Sequence, residues 1–165
     1  MHIISTLTIL MIDQAYSFSN TKKTEITGFT LEKTVKMMKL SFSRTLLLHP
    51  EIDITVDQWV VLHLLNKHKQ LSQQELGDLA FKDAPTITRM LDLLELKQVI
   101  IRKADKKDKR KYKIALTALG KNKFNAIQPI VQEFRAEAYD GLTNEELNML
   151  EKTLKKIFDN LSKQN

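Results

Sequence analysis

The sequence predicts a mainly α-helical fold that carries one small β-hairpin. At 165 residues the chain is long enough to enclose one hydrophobic core. A hydrophobic content of 42%, with four Gly and three Pro, is typical of an ordinary helix-rich globular protein. Apolar residues recur at steps of three and four through most of the chain, which indicates amphipathic helices. One short segment alternates apolar and polar residues instead, and this alternation predicts the hairpin.

Residues 1–28 are expected to form an N-terminal extension and a polar linker. Residues 1–12 are apolar enough to resemble the core of a secretory signal, but no Lys or Arg precedes them and Asp13 ends the run. Twelve residues cannot span a bilayer. A packed or disordered extension, or a translation start at a later Met such as Met11, is therefore favoured over a signal peptide.

Two helices are predicted next. Residues 29–48 carry apolar side chains at helical spacing, and His49-Pro50 ends the pattern, because a residue before proline avoids the helical region. Thr55 and Gln58 have the spacing of a capping box, which predicts a helix start there. Residues 59–65 are apolar on nearly every side, so this helix is expected to be buried, with His63 as a hydrogen-bonded core residue rather than a ligand.

Two shorter helices follow. Ser72 and Glu75 form a second capping box before a helix that runs through Ala80. Asp83-Ala84-Pro85 opens the next helix, with proline in the first turn where its missing N–H costs nothing. Its predicted inner face is Ile87, Met90, Leu91 and Leu94, and its predicted outer face is Thr86, Thr88, Arg89 and Asp92. The pair predicts a helix-turn-helix, the alternative being two packed surface helices.

A basic hairpin comes directly after this pair. Val99-Ile100-Ile101 is β-branched, and Tyr112, Ile114 and Leu116 then alternate with smaller or charged residues. Residues 97–113 hold nine Lys or Arg and two Asp, a net of +7, whereas the whole chain carries +6. The positive charge is therefore local, as expected of a surface that meets phosphate, although a solvated charge run is the alternative.

The C-terminal part predicts two more helices. Apolar residues at helical spacing run from Leu119 to Ala138 with Pro129 inside them, and Asp140-Gly141 ends the pattern. Thr143 and Glu146 form a third capping box. The last helix carries a wide apolar stripe of Leu147, Leu150, Leu154, Ile157, Phe158 and Leu161. Either a second subunit or an intramolecular helix pair could cover that stripe.

Taken in order, these segments resemble the MarR (multiple antibiotic resistance regulator) family of winged-helix transcription factors. The matching segments are TVDQWVVLHLL at 55–65, LSQQELGDLA at 71–80, APTITRMLDLLE at 84–95 and DKRKYKIALTALGK at 108–121. Two positions depart from the family pattern. Gln98 stands where a Gly is usual, so either a left-handed non-glycine residue costs on the order of 1 kcal/mol or the turn differs. Lys109 replaces the usual first wing arginine and lacks its planar fork.

The resemblance implies a single domain over residues 29–165, with a winged helix-turn-helix lobe at 52–117. Helices at 29–48 and 118–163 would then form a dimerisation bundle. The helix that begins near Pro85 would enter the major groove of double-stranded DNA, with Thr86, Thr88 and Arg89 near bases or phosphates. Ser72, Gln73 and Gln74 would contact the DNA backbone. Arg110, with Lys106, Lys107 and Lys109, would reach the adjacent minor groove.

The sequence disfavours an enzyme. It contains no P-loop, GxGxxG or GxSxG motif, and its four His residues lack metal-ligand spacing, so no catalytic residue, metal or cofactor is expected. The absence of Cys excludes thiol redox sensing and fits a reducing cytoplasm. The resemblance implies instead a ligand-responsive repressor that binds a palindromic operator as a homodimer, with a small-molecule effector near Trp59 and His63. The alternative is a winged-helix module that binds an acidic protein surface without sequence-specific DNA binding.

Overall fold

The computed structural model describes residues 28–104 and 112–163. The chain divides into two compact units, Met1–Val35 and Lys36–Asn165. The N-terminal extension predicted for residues 1–28 lies outside the described residues except at Gly28. The described helices and strands, in chain order, are α1 (Gly28–Leu47), α2 (Val56–His68), β1 (Gln70–Leu71), α3 (Gln73–Ala80), α4 (Ala84–Leu96), β2 (Ile100–Ala104), β3 (Tyr112–Leu116), α5 (Ala118–Ala138) and α6 (Asn144–Ser162). The mainly helical fold with a small sheet is confirmed.

Most helix starts coincide with the predicted caps. Thr55, Ser72 and Thr143 each form a complete capping box with the residue three positions later. Asp83 caps α4 by accepting a hydrogen bond from the backbone N–H of Thr86 at 2.7 Å. Because these side chains satisfy N–H groups that a helix leaves unpaired, local sequence alone was enough to place the starts.

The sheet has three antiparallel strands in the order β1-β3-β2. The hairpin pairs Ile100 with Leu116 and Ala104 with Tyr112 in one continuous register. Strand β1, which pairs Gln70 with Ala115, was not predicted, because two residues are too short to show an alternating pattern. Its Leu71 is buried and joins the sheet to the core.

The core of the second unit lies where α2, α4 and α5 meet the sheet. Val61, Leu62 and Leu65 of α2 are almost completely buried. The predicted inner face of α4 is confirmed, since Ile87, Met90, Leu91 and Leu94 are all buried. The α5 residues that complete this core are Phe124, Ile127, Ile130 and Val131. These contacts fix the position of α4 relative to the hairpin.

Helix α5 is also held at its first turn. Thr117 caps it and donates its hydroxyl to the carbonyl of Gln98 at 2.7 Å, while its backbone N–H donates to the carbonyl of Val99 at 3.1 Å. A Cβ built on Gly120 would lie 2.0 Å from that same Val99 oxygen, so only glycine allows the two segments to approach this closely. The helix continues through Pro129, which forfeits one backbone hydrogen bond.

Helix α6 contributes no buried residue. Its predicted apolar stripe exists, but Leu150, Leu154, Ile157, Phe158 and Leu161 are all exposed in the single chain. The intramolecular helix pair that could have covered the stripe is therefore not observed among the described residues. The stripe is available to another surface.

One expectation about burial was wrong. His63 is exposed and not a hydrogen-bonded core residue, because the α2 face at that position lies outside the core formed by Val61, Leu62 and Leu65. Leu119 and Ala138 are exposed as well, since both lie in the end turns of α5, beyond the buried stretch at 124–131. Periodicity identified the helices but did not show where packing along each helix stops.

Candidate nucleic-acid interface

The helix-turn-helix is formed by α3 and α4, which are joined at Phe81. Phe81 ends α3 in the left-handed region, with φ 51°, and its N–H donates to carbonyls of the last turn. The Gln73 side-chain amide donates to the Thr88 hydroxyl at 2.8 Å, and that hydroxyl donates to the Ala84 carbonyl at 2.7 Å. A hydrogen bond therefore joins the two helices on the side that carries the predicted DNA contacts.

The predicted contact residues differ in how free their side chains are. Gln74, Pro85, Thr86 and Arg89 are exposed, whereas Ser72, Gln73 and Thr88 are half-buried. The hydroxyl of Ser72 accepts the N–H of Glu75 in its capping box at 3.2 Å. Gln73 and Thr88 bond to each other, so they are better suited to fixing the helix pair than to direct base contact. Thr86 and Arg89 are the exposed polar side chains at the start of α4.

The cap of α4 carries a negative charge at this surface. Hydrogen bonds from the side chain and the backbone of Thr86 hold the pKa of Asp83 below its usual range. Asp83 is fully exposed, so its charge is retained at neutral pH while it orders the first turn of α4.

Both strands of the hairpin are joined to the helix-turn-helix by ion pairs. Arg102 of β2 donates Nη1 to Glu95 at 2.5 Å and Nη2 to Asp92 at 2.6 Å, and both acceptors lie on α4. Lys113 of β3 donates to Glu75 of α3 at 2.8 Å. Hydrogen bonds from Lys113, then those from Ser72, lower the pKa of Glu75 to about 2. Neither pair was predicted, because their partners lie 7 to 38 residues apart in sequence.

The wing-tip residues predicted to contact DNA, Lys106, Lys107, Lys109 and Arg110, lie outside the described residues. The strands that lead to the tip are described up to Ala104 and from Tyr112 onwards. Lys103 is exposed and Lys113 is half-buried at this end of the hairpin.

The predicted effector residues lie in an aromatic cluster. The Trp59 ring packs edge-on against Phe42 with centroids 5.6 Å apart, and lies 5.5 Å from the His63 ring. Phe42 also packs on Phe134 at 5.0 Å, and His63 lies 6.4 Å from Phe124. The indole nitrogen Nε1 of Trp59 is buried and has no hydrogen-bond acceptor among the described residues. An unsatisfied buried donor of this kind is uncommon and destabilising.

His63 lies at the exposed edge of that cluster. Partial burial lowers the pKa of His63, and the charges of Arg135 and Lys67 lower it further. The imidazole is therefore neutral at pH 7, and the charges around it, those of Arg135 and Lys67, are positive. Such a surrounding favours an anion over a cation.

An open cavity of about 360 Å³ lies between α1 and the start of α2. It is lined by Lys36, Lys39, Leu40, Ser43, Thr55, Val56 and Asp57. Within residues 28–104 and 112–163, no three His, Cys, Asp or Glu side chains are placed to hold a metal ion. No helix in this part of the chain is long and apolar enough to cross a membrane.

The sequence and the fold both match known proteins. The sequence model of the MarR family matches residues 54–112. The HTH-type transcriptional regulator SarZ of Staphylococcus aureus is 31% identical over 111 residues, which cover 67% of this chain and 69% of SarZ. The crystal structure of a mutant MarR from E. coli, complexed with operator DNA, is similar with a TM-score of 0.71 and 27% identity, covering 79% of this chain and 91% of that one. The complex of S. aureus MepR with DNA has a TM-score of 0.70 and 28% identity, covering 84% and 99%.

Proposed function

The chain belongs to the MarR family, and we propose that this DNA-binding transcriptional regulator recognises a palindromic operator as a homodimer and represses transcription by occupying it. The observation that carries the proposal is the exposed start of α4, with Thr86 and Arg89, on a helix that Arg102 of the hairpin pairs with through Asp92 and Glu95. A helix with a polar N-terminal face suits the major groove, and a basic hairpin suits the flanking minor groove. The operator-bound MarR and DNA-bound MepR structures share this fold.

The proposed contacts fall into three groups. Thr86 and Arg89 of α4 lie against base edges or phosphates, with Pro85 in the first turn that approaches the groove. Thr88 lies beside them at the phosphates while its hydroxyl stays bonded to Gln73. Ser72, Gln73 and Gln74 lie against the DNA backbone, where N–H groups and short polar side chains suit phosphate. Arg110 enters the minor groove, and Lys106, Lys107 and Lys109 pair with phosphates. Residues 52–117 thus form the DNA-binding lobe.

The homodimer is formed by the helices outside that lobe, at 29–48 and 118–163. Its support is the stripe on α6, where five large apolar side chains are exposed along one face. A contiguous apolar face of this kind is rarely left in water by a soluble protein and suits a second copy of the same chain. A two-fold dimer would present two recognition helices, so the operator should be palindromic.

A small-molecule effector is the proposed regulator. The buried Nε1 of Trp59 offers a hydrogen bond without an acceptor among the described residues, and Arg135 and Lys67 make the surroundings of His63 positive. An aromatic carboxylate could accept that hydrogen bond while it packs on the surrounding rings. Because the chain contains one Trp, its fluorescence reports on this site alone. Titration with benzoate and nicotinate should quench it, and loss of the quench on His63→Ala would locate the ligand.

The proposed compartment is the cytoplasm, where a regulator would meet its DNA. Its reducing conditions suit a chain without Cys. Because thiol oxidation cannot act on this chain, operator binding should survive mild oxidation that affects only thiols.

The test of the proposal is binding-site selection from random duplexes with the purified protein. We expect one enriched palindromic motif whose half-sites are about one helical turn apart. If no motif is enriched, and binding to every duplex weakens equally as salt is added, the alternative of a protein-interaction module is favoured. A parallel measurement with an acidic peptide in place of DNA would then be informative.

A further inference from the structure

The guanidinium of Arg102 joins the hairpin to α4, the recognition helix of the proposed DNA-binding lobe. Its two terminal nitrogens bond to two different carboxylates of α4, Nη1 to Glu95 at 2.5 Å and Nη2 to Asp92 at 2.6 Å. The acceptors are three residues apart and thus lie one turn from each other on the same helix face. The Arg102 side chain is only 24% exposed. Because the planar guanidinium is bound through both terminal nitrogens, this fork fixes the direction of β2 relative to α4 as well as their distance.

Arg102 is the central residue of β2, and the strand beyond it leads to the hairpin tip. At the base of the strand, Val99 and Ile100 are buried and hold it against the core. Beyond them Ile101 is exposed, and so are Lys103 and Ala104, which lead to the tip. Arg102 is therefore the contact with α4 that lies nearest the tip within the described part of β2. It limits how far the hairpin can swing relative to the recognition helix.

The fork also changes the charge of the DNA-facing side of α4. Asp92 follows Thr88 by four residues and Arg89 by three, so it lies on the same face as the proposed DNA contacts. Asp92 and Glu95 would otherwise present two negative charges close to phosphate. Hydrogen bonding to Arg102 offsets this charge while the two carboxylates keep the strand in place.

We propose that Arg102 is a positioning residue that sets the wing relative to the recognition helix, and so determines how strongly the protein discriminates the sequence that flanks its half-sites. The proposal rests on the proposed function, in which α4 reads the major groove and the wing reads the minor groove. Since minor-groove width depends on sequence, reading it requires the wing to reach the flank at a fixed angle. A loosened wing would still find phosphates but would lose this discrimination.

The test separates positioning from charge and from folding. Affinity is measured on two duplexes that carry the selected motif, one with A·T-rich flanks and one with G·C-rich flanks. Arg102→Lys keeps the charge and loses the fork. The double variant Asp92→Ala with Glu95→Ala loses the fork, because it removes both acceptors, and it also removes negative charge. Lys152→Gln, on the face of α6 opposite its apolar stripe, is the control for a charge change outside the fork.

We expect both fork variants to lose about five- to tenfold in the ratio between the two duplexes. The Asp92/Glu95 variant should at the same time bind all duplexes more tightly, because it carries less negative charge. Lys152→Gln should leave the ratio unchanged. Thermal unfolding should show all variants folded, since partly exposed ion pairs add little stability.

The proposal is overturned if both fork variants keep the wild-type ratio, even if their affinity changes uniformly. It is likewise overturned if affinity for both duplexes falls equally, in proportion to the unfolded fraction. A wild-type protein that selects a motif but ignores its flanks would contradict the minor-groove assignment on which the proposal depends. A wild-type protein that selects no motif would contradict the proposed function itself.

Discussion

Gln98 occupies a backbone conformation that usually belongs to glycine. Its φ is 56°, and its N–H donates to the Glu95 carbonyl at 2.8 Å as α4 turns into β2. Of the two outcomes foreseen for this departure from the family pattern, the strained residue is the one observed. Its side chain is exposed, so nothing in the core depends on it.

Replacing Gln98 with Gly should therefore stabilise the protein. Removing the left-handed strain gains more than the added freedom of the unfolded chain costs, with a net of about 0.5–1 kcal/mol in the free energy of unfolding. Urea denaturation followed by Trp59 fluorescence measures this change. Gln98→Ala is the matched control, because it removes the same side chain and keeps the strain. Equal stability of the two variants would contradict this account.

The lowered pKa of Glu75 predicts that the free energy of unfolding decreases at acid pH. Its pKa in the folded protein is about 2, below the ordinary value of 4.5, because Lys113 and then Ser72 donate hydrogen bonds to the carboxylate. Its contribution is therefore fully present above pH 4.5 and is lost as the pH falls towards 2. Since the side chain is about half exposed, the loss should be at most about 1 kcal/mol.

The comparison with Glu75→Gln isolates this contribution. The variant keeps a side chain able to accept the Ser72 N–H but has no charge to lose. Its unfolding free energy, measured across the same acid range, should fall less than that of the wild type. Parallel curves would show that other carboxylates dominate acid unfolding.

At the residue scale, the sequence allowed predictions about local chemistry but not about contacts between distant segments. The spacing of Ser72 and Glu75 showed the capping box, because both partners lie within one turn. The second role of Glu75, as acceptor for Lys113, depends on β3 folding back against α3. The Arg102 fork is hidden for the same reason, since it exists only once β2 is placed beside α4.

At the scale of the elements, helix starts were predicted well and burial was predicted less well. Thr55, Ser72, Asp83 and Thr143 all cap as expected, because capping is a local interaction. Strand β1 was not predicted, because its two residues are recognisable as a strand only through their pairing with β3. His63 was misplaced for a related reason, since an apolar run in sequence does not reveal which side of α2 its neighbours cover.

Where α5 approaches the turn between α4 and β2, Gly120 should not tolerate replacement by a residue with a side chain. Gly120→Ala would place its Cβ 2.0 Å from the Val99 oxygen, which already accepts the Thr117 N–H. Relieving the clash must move α5 or the turn, at a cost of about 2–4 kcal/mol in the free energy of unfolding. Urea denaturation measures this directly.

The control is Gly28→Ala, where a Cβ would meet nothing within 4 Å. That variant should be as stable as the wild type or slightly more stable, since Ala favours the helix. If Gly120→Ala were also neutral, the close approach of α5 to the turn would not exist in solution.

At the scale of the whole molecule, the single chain leaves the apolar stripe of α6 uncovered. The sequence showed that the stripe exists and left open what covers it, because periodicity identifies an apolar face without identifying its neighbour. Among the described residues Phe81 packs on Phe158 of the stripe, but this contact leaves α6 without a buried residue. The proposed dimer is the arrangement that removes this stripe from water and pairs two recognition helices.

Charging the stripe should therefore separate dimerisation from folding. We predict that Leu154→Glu together with Ile157→Glu yields a folded monomer, because both side chains are partly exposed in the single chain and support no core. Phe158 is left unchanged, since its ring also packs on Phe81 at the helix turn, with centroids 5.9 Å apart. Sedimentation velocity at micromolar concentration measures the oligomeric state.

The same variant should bind the operator much more weakly, because each half-site must then be bound separately. Losing the connection between two bound half-sites costs about 10²- to 10⁴-fold in affinity, whereas affinity for one isolated half-site should be unchanged. The control is Lys152→Glu, which makes the same change of two charge units on the face of α6 opposite the apolar stripe. That control should remain dimeric and keep most of its operator affinity. If the wild-type protein itself sedimented as a monomer and bound the full operator no more tightly than the charged variant does, α6 would serve another partner.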